Sequence, residues 1–162
     1  AKPEDGMARA LKAGTLRRNF QGYTDDTAPA LIGLGASSIS RFPQGFAQNA
    51  SATAAHTKAI RAGRFSVHKG HRFQGEDLLR ARVIEALMCD FFVSRAELLQ
   101  DFDVPPSRIE ALFQQAASEF GDMVKVSAEG FLIPDRARPL TRMIARAFDA
   151  YDSAKAKHSS AI

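Results

Sequence analysis

The sequence predicts an α+β fold that is mainly helical, and three observations predict it. Residues 75–154 carry apolar side chains in stripes at helical spacing. Inside that stretch, Met123 to Val126 and Phe131 to Ile133 alternate around Ser127-Ala128-Glu129-Gly130, the pattern of a β-hairpin. Residues 1–74 have another texture: they are rich in Gly, Ser and Asn and hold only short periodic runs. The boundary between the two blocks is expected near Gln74-Gly75.

The first block opens on an expected helix. Pro3 suits its first turn, Glu4 and Asp5 sit near the positive end of its dipole, and Gly14 ends it. Met7, Ala10 and Leu11 form its apolar face. Thr15 to Tyr23 follows, with Gly22 at a turn, then Asp25-Asp26-Thr27 as a loop or cap. Ala30 to Ile39 (ALIGLGASSI) reads as a buried strand containing Gly33 and Gly35. Two glycines weaken a strand interior, so they suggest close approach of a ligand or of another backbone. Pro43-Gln44-Gly45 is a turn and Phe46 to Asn49 a short strand. Residues 51–62 form a weak Ala-rich helix capped by Ser51 or Asn49 and closed by Gly63. Arg64 to Val67 is a further short strand.

In the second block, Leu79, Val83 and Leu87, with Ile84 and Met88 beside them, make one helical stripe. Ser94 is placed to cap a short helix, and Glu97 three residues on completes a capping box. Pro105 and Pro106 stop that helix and start the next. Ile109, Leu112, Phe113, Ala116 and Phe120 share a face of the next helix, which Gly121 ends. The hairpin stops at Pro134. Leu140, Ile144, Ala147, Phe148 and Tyr151 then line a final helix, and the polar tail 155–162 is expected to fray. Helix, helix, helix, hairpin, helix is a winged-helix-like order for residues 75–154.

The 162 residues suit one domain, or one small domain plus a piece of another. No segment approaches the ~20 uninterrupted apolar residues of a membrane span, so no membrane partner is expected. Ala1-Lys2-Pro3-Glu4-Asp5 is polar and does not begin with Met, which suggests a piece of a longer chain without a signal peptide. A net charge of +4 fits nucleic acid, an anionic small substrate, or no special partner. The single cysteine, Cys89, cannot form an internal disulfide, which fits a reducing, cytoplasmic setting. It also cannot hold an iron–sulfur cluster by itself. Its apolar neighbours Ala86, Leu87 and Met88 make it a buried structural thiol.

Few constellations suggest chemistry. His68 and His71 form H-x-x-H, but Gly70 intervenes, the segment reads as a loop and no third ligand is adjacent, so no metal site is expected. His56 is expected at the surface. Gly33 and Gly35 lack the third glycine of a phosphate cradle, and Ser37, Ser38 and Ser40 sit on no G-x-S-x-G elbow. No catalytic residue is assigned. A winged-helix order raises nucleic acid, whose groove the helix before the wing would enter. That helix carries Arg108 but also Glu110 and Glu119, a charge distribution that argues against neutralising phosphates. Arg17-Arg18-Asn19-Phe20-Gln21-Gly22-Tyr23-Thr24 gathers arginines, amides and an aromatic. It is either a solvated connector or a segment suited to a polar, anionic ligand with Phe20 as a stacking face.

R-N-F-Q-G-Y-T, then L-I-G-L-G-A-S-S-I-S and F-A-Q-N, resemble the oxygen-independent coproporphyrinogen III oxidase family. So do the opening A-K-P-E-D, the run R-x-x-V-I-E-A-L-M-C-D-F from Arg80 to Phe91, and F-D-x-Y at Phe148 to Tyr151. These motifs lie in order over nearly the whole chain. The resemblance implies the C-terminal portion of an oxidoreductase of heme and porphyrin biosynthesis. Such enzymes use S-adenosylmethionine and a 4Fe-4S cluster to decarboxylate coproporphyrinogen III to protoporphyrinogen IX by radical chemistry. Residues 1–74 would be the end of the family's incomplete α/β barrel and residues 75–154 its helical C-terminal domain. Phe20, Gln21 and Ile39 would lie at the S-adenosylmethionine site. The cluster motif C-x-x-x-C-x-x-C does not occur in this sequence, so the chain by itself is expected to be inactive and to bind neither cofactor tightly. The implied partner is a porphyrinogen, whose four carboxylates Arg17, Arg18 or Arg41 would meet, and a monomer is expected. The alternative is a winged-helix module that binds nucleic acid or another protein.

Overall fold

The computed structural model describes residues 2–151. The chain divides into two compact units. One holds residues 17–75. The other joins residues 2–16 to the described residues from Glu76 onward, so the first helix groups with the second block rather than the first. The cause is packing: Ala10 and Leu16 bury themselves with Cys89 in a small apolar cluster.

Helix α1 spans Gly6–Ala13. It begins later than Pro3 implied, because Asp5 is the cap: its carboxylate accepts hydrogen bonds from the amides of Met7 (3.0 Å) and Ala8 (3.3 Å). Of the expected apolar face only Ala10 is buried; Met7 and Leu11 are exposed.

In the unit from 17 to 75, strands β1 (Arg17–Asn19) and β2 (Gly22–Thr24) form a two-stranded hairpin. Strands β3 (Ile39–Phe42) and β4 (Gly45–Asn49) pair antiparallel, and β4 pairs with β5 (Val67–Arg72) after helix α2 (Thr53–Arg61). The expected buried strand 30–39 is absent. Leu31 makes a single bridge to Arg41, residues 32–38 run as a loop, and Leu34 is 87% exposed. An apolar composition without strict alternation cannot distinguish a strand from a loop. Helix α2 starts at Thr53 after Ala52 and lacks the side-chain cap expected from Ser51 or Asn49, because Asn49 is a strand residue bonded elsewhere. The expected strand 64–67 begins at its last residue and runs on through the H-x-x-H segment. His68 and His71 are therefore three residues apart along extended chain, not one turn apart on a helix, the arrangement that would offer both rings to one ion.

In the second unit, α3 (Asp77–Asp90), β6 (Phe92–Ser94), α4 (Arg95–Asp101), α5 (Pro106–Phe120), β7 (Lys125–Val126), β8 (Gly130–Leu132) and α6 (Thr141–Arg146) follow in order. Ser94 caps α4 through the Glu97 amide. Strand β6 was not foreseen; it pairs with β8, which pairs with β7, giving a sheet in the order β6-β8-β7. The final helix is shorter than expected. A 3-10 segment, Asp135–Leu140, contains Pro139 and delays α6 to Thr141. The stripes converge on one core: Leu79, Val83, Leu87, Ile109, Phe113 and Phe131 are at most 2% exposed. Phe113, Phe131 and Phe148 meet there as a triad of rings, with centroids 5.4–6.5 Å apart. Tyr151, expected on the apolar face, is instead exposed and donates its hydroxyl to Asp77. The tail 155–162 lies outside the described residues.

Glu76 ties this unit's ends together. Its carboxylate accepts two hydrogen bonds from Arg108, one of them at 2.7 Å, and pairs with Arg80 at 3.2 Å. Arg80 also donates to the carbonyl of Phe148 at 2.9 Å. The Arg108 hydrogen bonds, aided by both guanidinium charges, hold the Glu76 carboxyl below its ordinary range.

Candidate functional site

The residues singled out in the sequence, Phe20, Gln21 and Ile39, all fall in the unit from 17 to 75. Phe20 and Gln21 are the tip of the β1–β2 hairpin. Asn19 builds that tip: its side-chain oxygen accepts from the amides of Gln21 (2.8 Å) and Gly22 (3.2 Å). The turn leaves Gln21 exposed and Phe20 54% exposed. Phe20 is not loose. Its ring meets Phe46 of β4 edge-on, with centroids 4.9 Å apart, and Phe46 meets Phe73 in the same manner at 5.0 Å.

Ile39 opens β3, opposite Gln48 of β4. Side chains directly opposite in an antiparallel pair share a face, and so do alternate residues along a strand. One face of the sheet therefore carries Ile39, Gln48 and Lys69 in one row and Arg41, Phe46 and His71 in the next. The Phe20 ring packs on that face through Phe46.

The loop 32–38 is held against the strands by two amides. The Asn49 side chain donates to the carbonyl of Gly35 (2.9 Å) and to Ser38 Oγ (3.1 Å), with a longer 3.5 Å contact to the carbonyl of Gly33. Gln48 donates to the carbonyl of Ser37 at 3.1 Å. Gly33 approaches β3 so closely that a Cβ there would sit 2.8 Å from the Ile39 carbonyl oxygen. The close approach suggested by the paired glycines is thus one between backbones, at Gly33 only. Asn49, Gln48 and Phe46 escaped the sequence reading as site residues. The period-two spacing of Phe46 and Gln48 in F-A-Q-N was the available signal.

His56, expected at the surface, is half-buried, with Nδ1 2.6 Å from the buried Ser66 hydroxyl. No Asp or Glu occurs from Thr27 to Gly75, so no acid from this segment orients His56 as a triad would require. The described residues do not fit an iron–sulfur cluster. No group of three or more His, Cys, Asp or Glu among them could hold a metal ion, and Cys89 is buried. The arrangement offers instead an aromatic platform, an exposed amide, an apolar strand residue and cations.

No family model matches the chain. It is 59% identical over 162 residues to an oxygen-independent coproporphyrinogen III oxidase of Paracoccus denitrificans, covering 100% of this chain and 36% of the relative. It is 49% identical to an anaerobic coproporphyrinogen III oxidase of Cereibacter sphaeroides, over 99% of this chain and 36% of the relative. An oxygen-independent coproporphyrinogen III oxidase of Synechocystis is 34% identical over 97% of this chain. Among solved structures, coproporphyrinogen III oxidase from Escherichia coli, described as a radical SAM enzyme, superposes with a TM-score of 0.86 at 28% identity. The match covers 94% of this chain and 36% of that one. The chain thus spans about a third of the length of the curated relatives it matches. Among the described residues no helix is long and apolar enough to cross a membrane.

Proposed function

This chain belongs to the oxygen-independent coproporphyrinogen III oxidase family, and on that premise we propose that it is the C-terminal part of an enzyme that oxidatively decarboxylates coproporphyrinogen III. In this reading residues 17–75 contribute one wall of the S-adenosylmethionine pocket. Phe20 offers a ring to the adenine or sulfonium end, Gln21 an amide, and Ile39 an apolar contact. The observation that carries the reading is Phe20 itself. A half-exposed phenylalanine held edge-on by Phe46 at the tip of a side-chain-stabilised turn is preorganised for a ligand. S-adenosylmethionine, if bound against this wall in the whole enzyme, would supply the radical chemistry of the reaction. The residues of this chain bind and orient; none of them holds the cluster.

The second unit reads as a winged-helix-like domain. The order α3-β6-α4-α5-β7-β8, with β6 closing the sheet against β8, supports it. Its α5 is poorly suited to nucleic acid, because Arg108 is committed to Glu76 and Arg95, behind it, to Glu110 at 2.8 Å. We read this domain as a packing element of a monomeric, cytoplasmic enzyme.

The test is S-adenosylmethionine binding to the full-length, cluster-loaded enzyme. Phe20→Ala should weaken affinity about tenfold or more, since stacking of a base on an aromatic ring contributes ~1–3 kcal/mol. Unchanged affinity would remove Phe20 from the pocket.

A further inference from the structure

The 32–38 loop, which leads directly into Ile39, has a shape that its own residues do not favour. Ser37 sits at φ 64°, in the left-handed region that glycine enters without steric cost and serine does not. A non-glycine residue stays there when its surroundings over-determine it. Here they do. The Ser37 amide donates to the carbonyl of Ala50 at 2.9 Å, and its carbonyl accepts from the Gln48 side chain at 3.1 Å. The carbonyl of Ser38 accepts from the Asn49 amide at 3.0 Å.

One side chain collects the acceptors inside the loop. Asn49 Nδ2 lies 2.9 Å from the Gly35 carbonyl oxygen and 3.1 Å from Ser38 Oγ, while Ser38 Oγ donates to the same Gly35 carbonyl at 2.7 Å. The three groups close a ring of hydrogen bonds. The loop is also fastened to β3 from the side away from Ile39. Ser40, the next residue of that strand, points to the opposite face, and its Oγ accepts from the Gly33 amide at 3.0 Å. Leu31 and Arg41 exchange backbone hydrogen bonds of 2.9 Å in both directions and close the loop's far end. Ile39 thus emerges from a loop whose form Asn49 holds from within.

We propose that Asn49 is a positioning residue for S-adenosylmethionine: it locks the 32–38 loop, and through the loop it sets where the Ile39 side chain stands in the pocket wall. It acts through Ile39 and not by contact with the cofactor. The assignment rests on the reading of Ile39 as part of that wall and adds the group that holds it there. A side-chain amide suits the task, because its two N–H groups meet two acceptors. A carboxylate of the same shape has no donor and would turn negative charge toward the Gly35 carbonyl oxygen.

Equilibrium binding of S-adenosylmethionine to the full-length, cluster-loaded enzyme, without porphyrinogen, tests this through a double-mutant cycle. Asn49→Asp should weaken binding about fivefold or more, and so should Ile39→Ala. Added to Ile39→Ala, Asn49→Asp should weaken binding by less than about twofold further, because the side chain it positions is gone. Turnover of the Asn49→Asp enzyme at saturating S-adenosylmethionine should stay within about twofold of the parent, whereas a general loss of structure would lower it too. Ser38→Ala removes one corner of the hydrogen-bond ring and should weaken binding roughly two- to threefold; it decides the question if Asn49→Asp does not fold. The proposal is overturned if the folded variant binds like the parent, if its effect is as large in the Ile39→Ala background, or if saturated turnover falls in step with affinity. Parent-like binding by Ile39→Ala would remove Ile39 from the pocket and this assignment with it, a result distinct from the other three.

Discussion

The two units of this chain are built on different balances. From Leu79 to Phe148, seventeen side chains form a buried apolar cluster in which Phe113, Phe131 and Phe148 are at most 1% exposed. Between Arg17 and Gly75 no apolar side chain is buried to that degree; the buried residues are Gly45 and Ser66. Large apolar groups there face outward instead, Leu34 at 87% and Phe65 at 95% exposure. What orders the unit from 17 to 75 is hydrogen bonding: strand ladders, the Asn19 turn, and the Asn49 and Gln48 amides on the 32–38 loop. The contrast teaches that a stretch can be apolar by composition and still owe its shape to polar groups. Burial stabilises a domain in proportion to the area removed from water, and this unit removes little.

The sharpest way to break that comparison is to delete a ring from each unit. Phe131→Ala, at a site with no exposure, should cost about 3–5 kcal/mol in denaturant unfolding. Phe46→Ala, at a half-buried site, should cost roughly 1–2 kcal/mol. Equal losses would mean that the unit from 17 to 75 has a core after all. A smaller effect is expected from Asn49→Ala, which removes the amide that ties Gly35 and Ser38; about 1 kcal/mol of local stability should be lost. Hydrogen exchange should speed at the amides of Gly33 and Ser37 while α3 keeps its protection. Faster exchange throughout α3 would show instead that the two units share their stability.

The smallest effect concerns pH and the second unit. Glu76 titrates below its ordinary 4.5 when folded, chiefly through its hydrogen bonds from Arg108. A depressed carboxyl stabilises the fold above its unfolded value and loses that contribution as pH falls through the folded value. Glu76→Gln should therefore cost at most about 1 kcal/mol at pH 7, since the group is partly exposed. The gap between variant and parent should narrow as pH drops below ~4.5. A gap that stays constant from pH 7 to pH 3 would assign the loss to packing rather than charge.

Legibility in the sequence followed the same division. Stripes such as Leu79-Val83-Leu87 and Ile109-Leu112-Phe113-Ala116 were readable because one buried face imposes a period on the sequence. So was the Ser94 cap, whose partner is three residues away. In the unit from 17 to 75 there is little burial to impose a period, and A-L-I-G-L-G-A-S-S-I read as a strand when most of it is a loop. The H-x-x-H segment read as a loop when it is β5. Phe20, Gln21 and Ile39 were named from a resemblance, and nothing in local spacing would have joined them.

The sequence by itself determined α3, α4 and α5 of the second unit, the hairpin of β7 and β8, the lone cysteine and the acid-free run from Thr27 to Gly75. These are properties of composition and short-range period. Only the tertiary structure decided that α1 groups with the second unit, that β6 completes its sheet, and that Phe20 rests on the face shared by Ile39, Arg41 and Lys69. Those outcomes depend on pairing between residues distant in sequence. Strand register, which sets the face each side chain occupies, is fixed by the partner strand rather than by the strand alone.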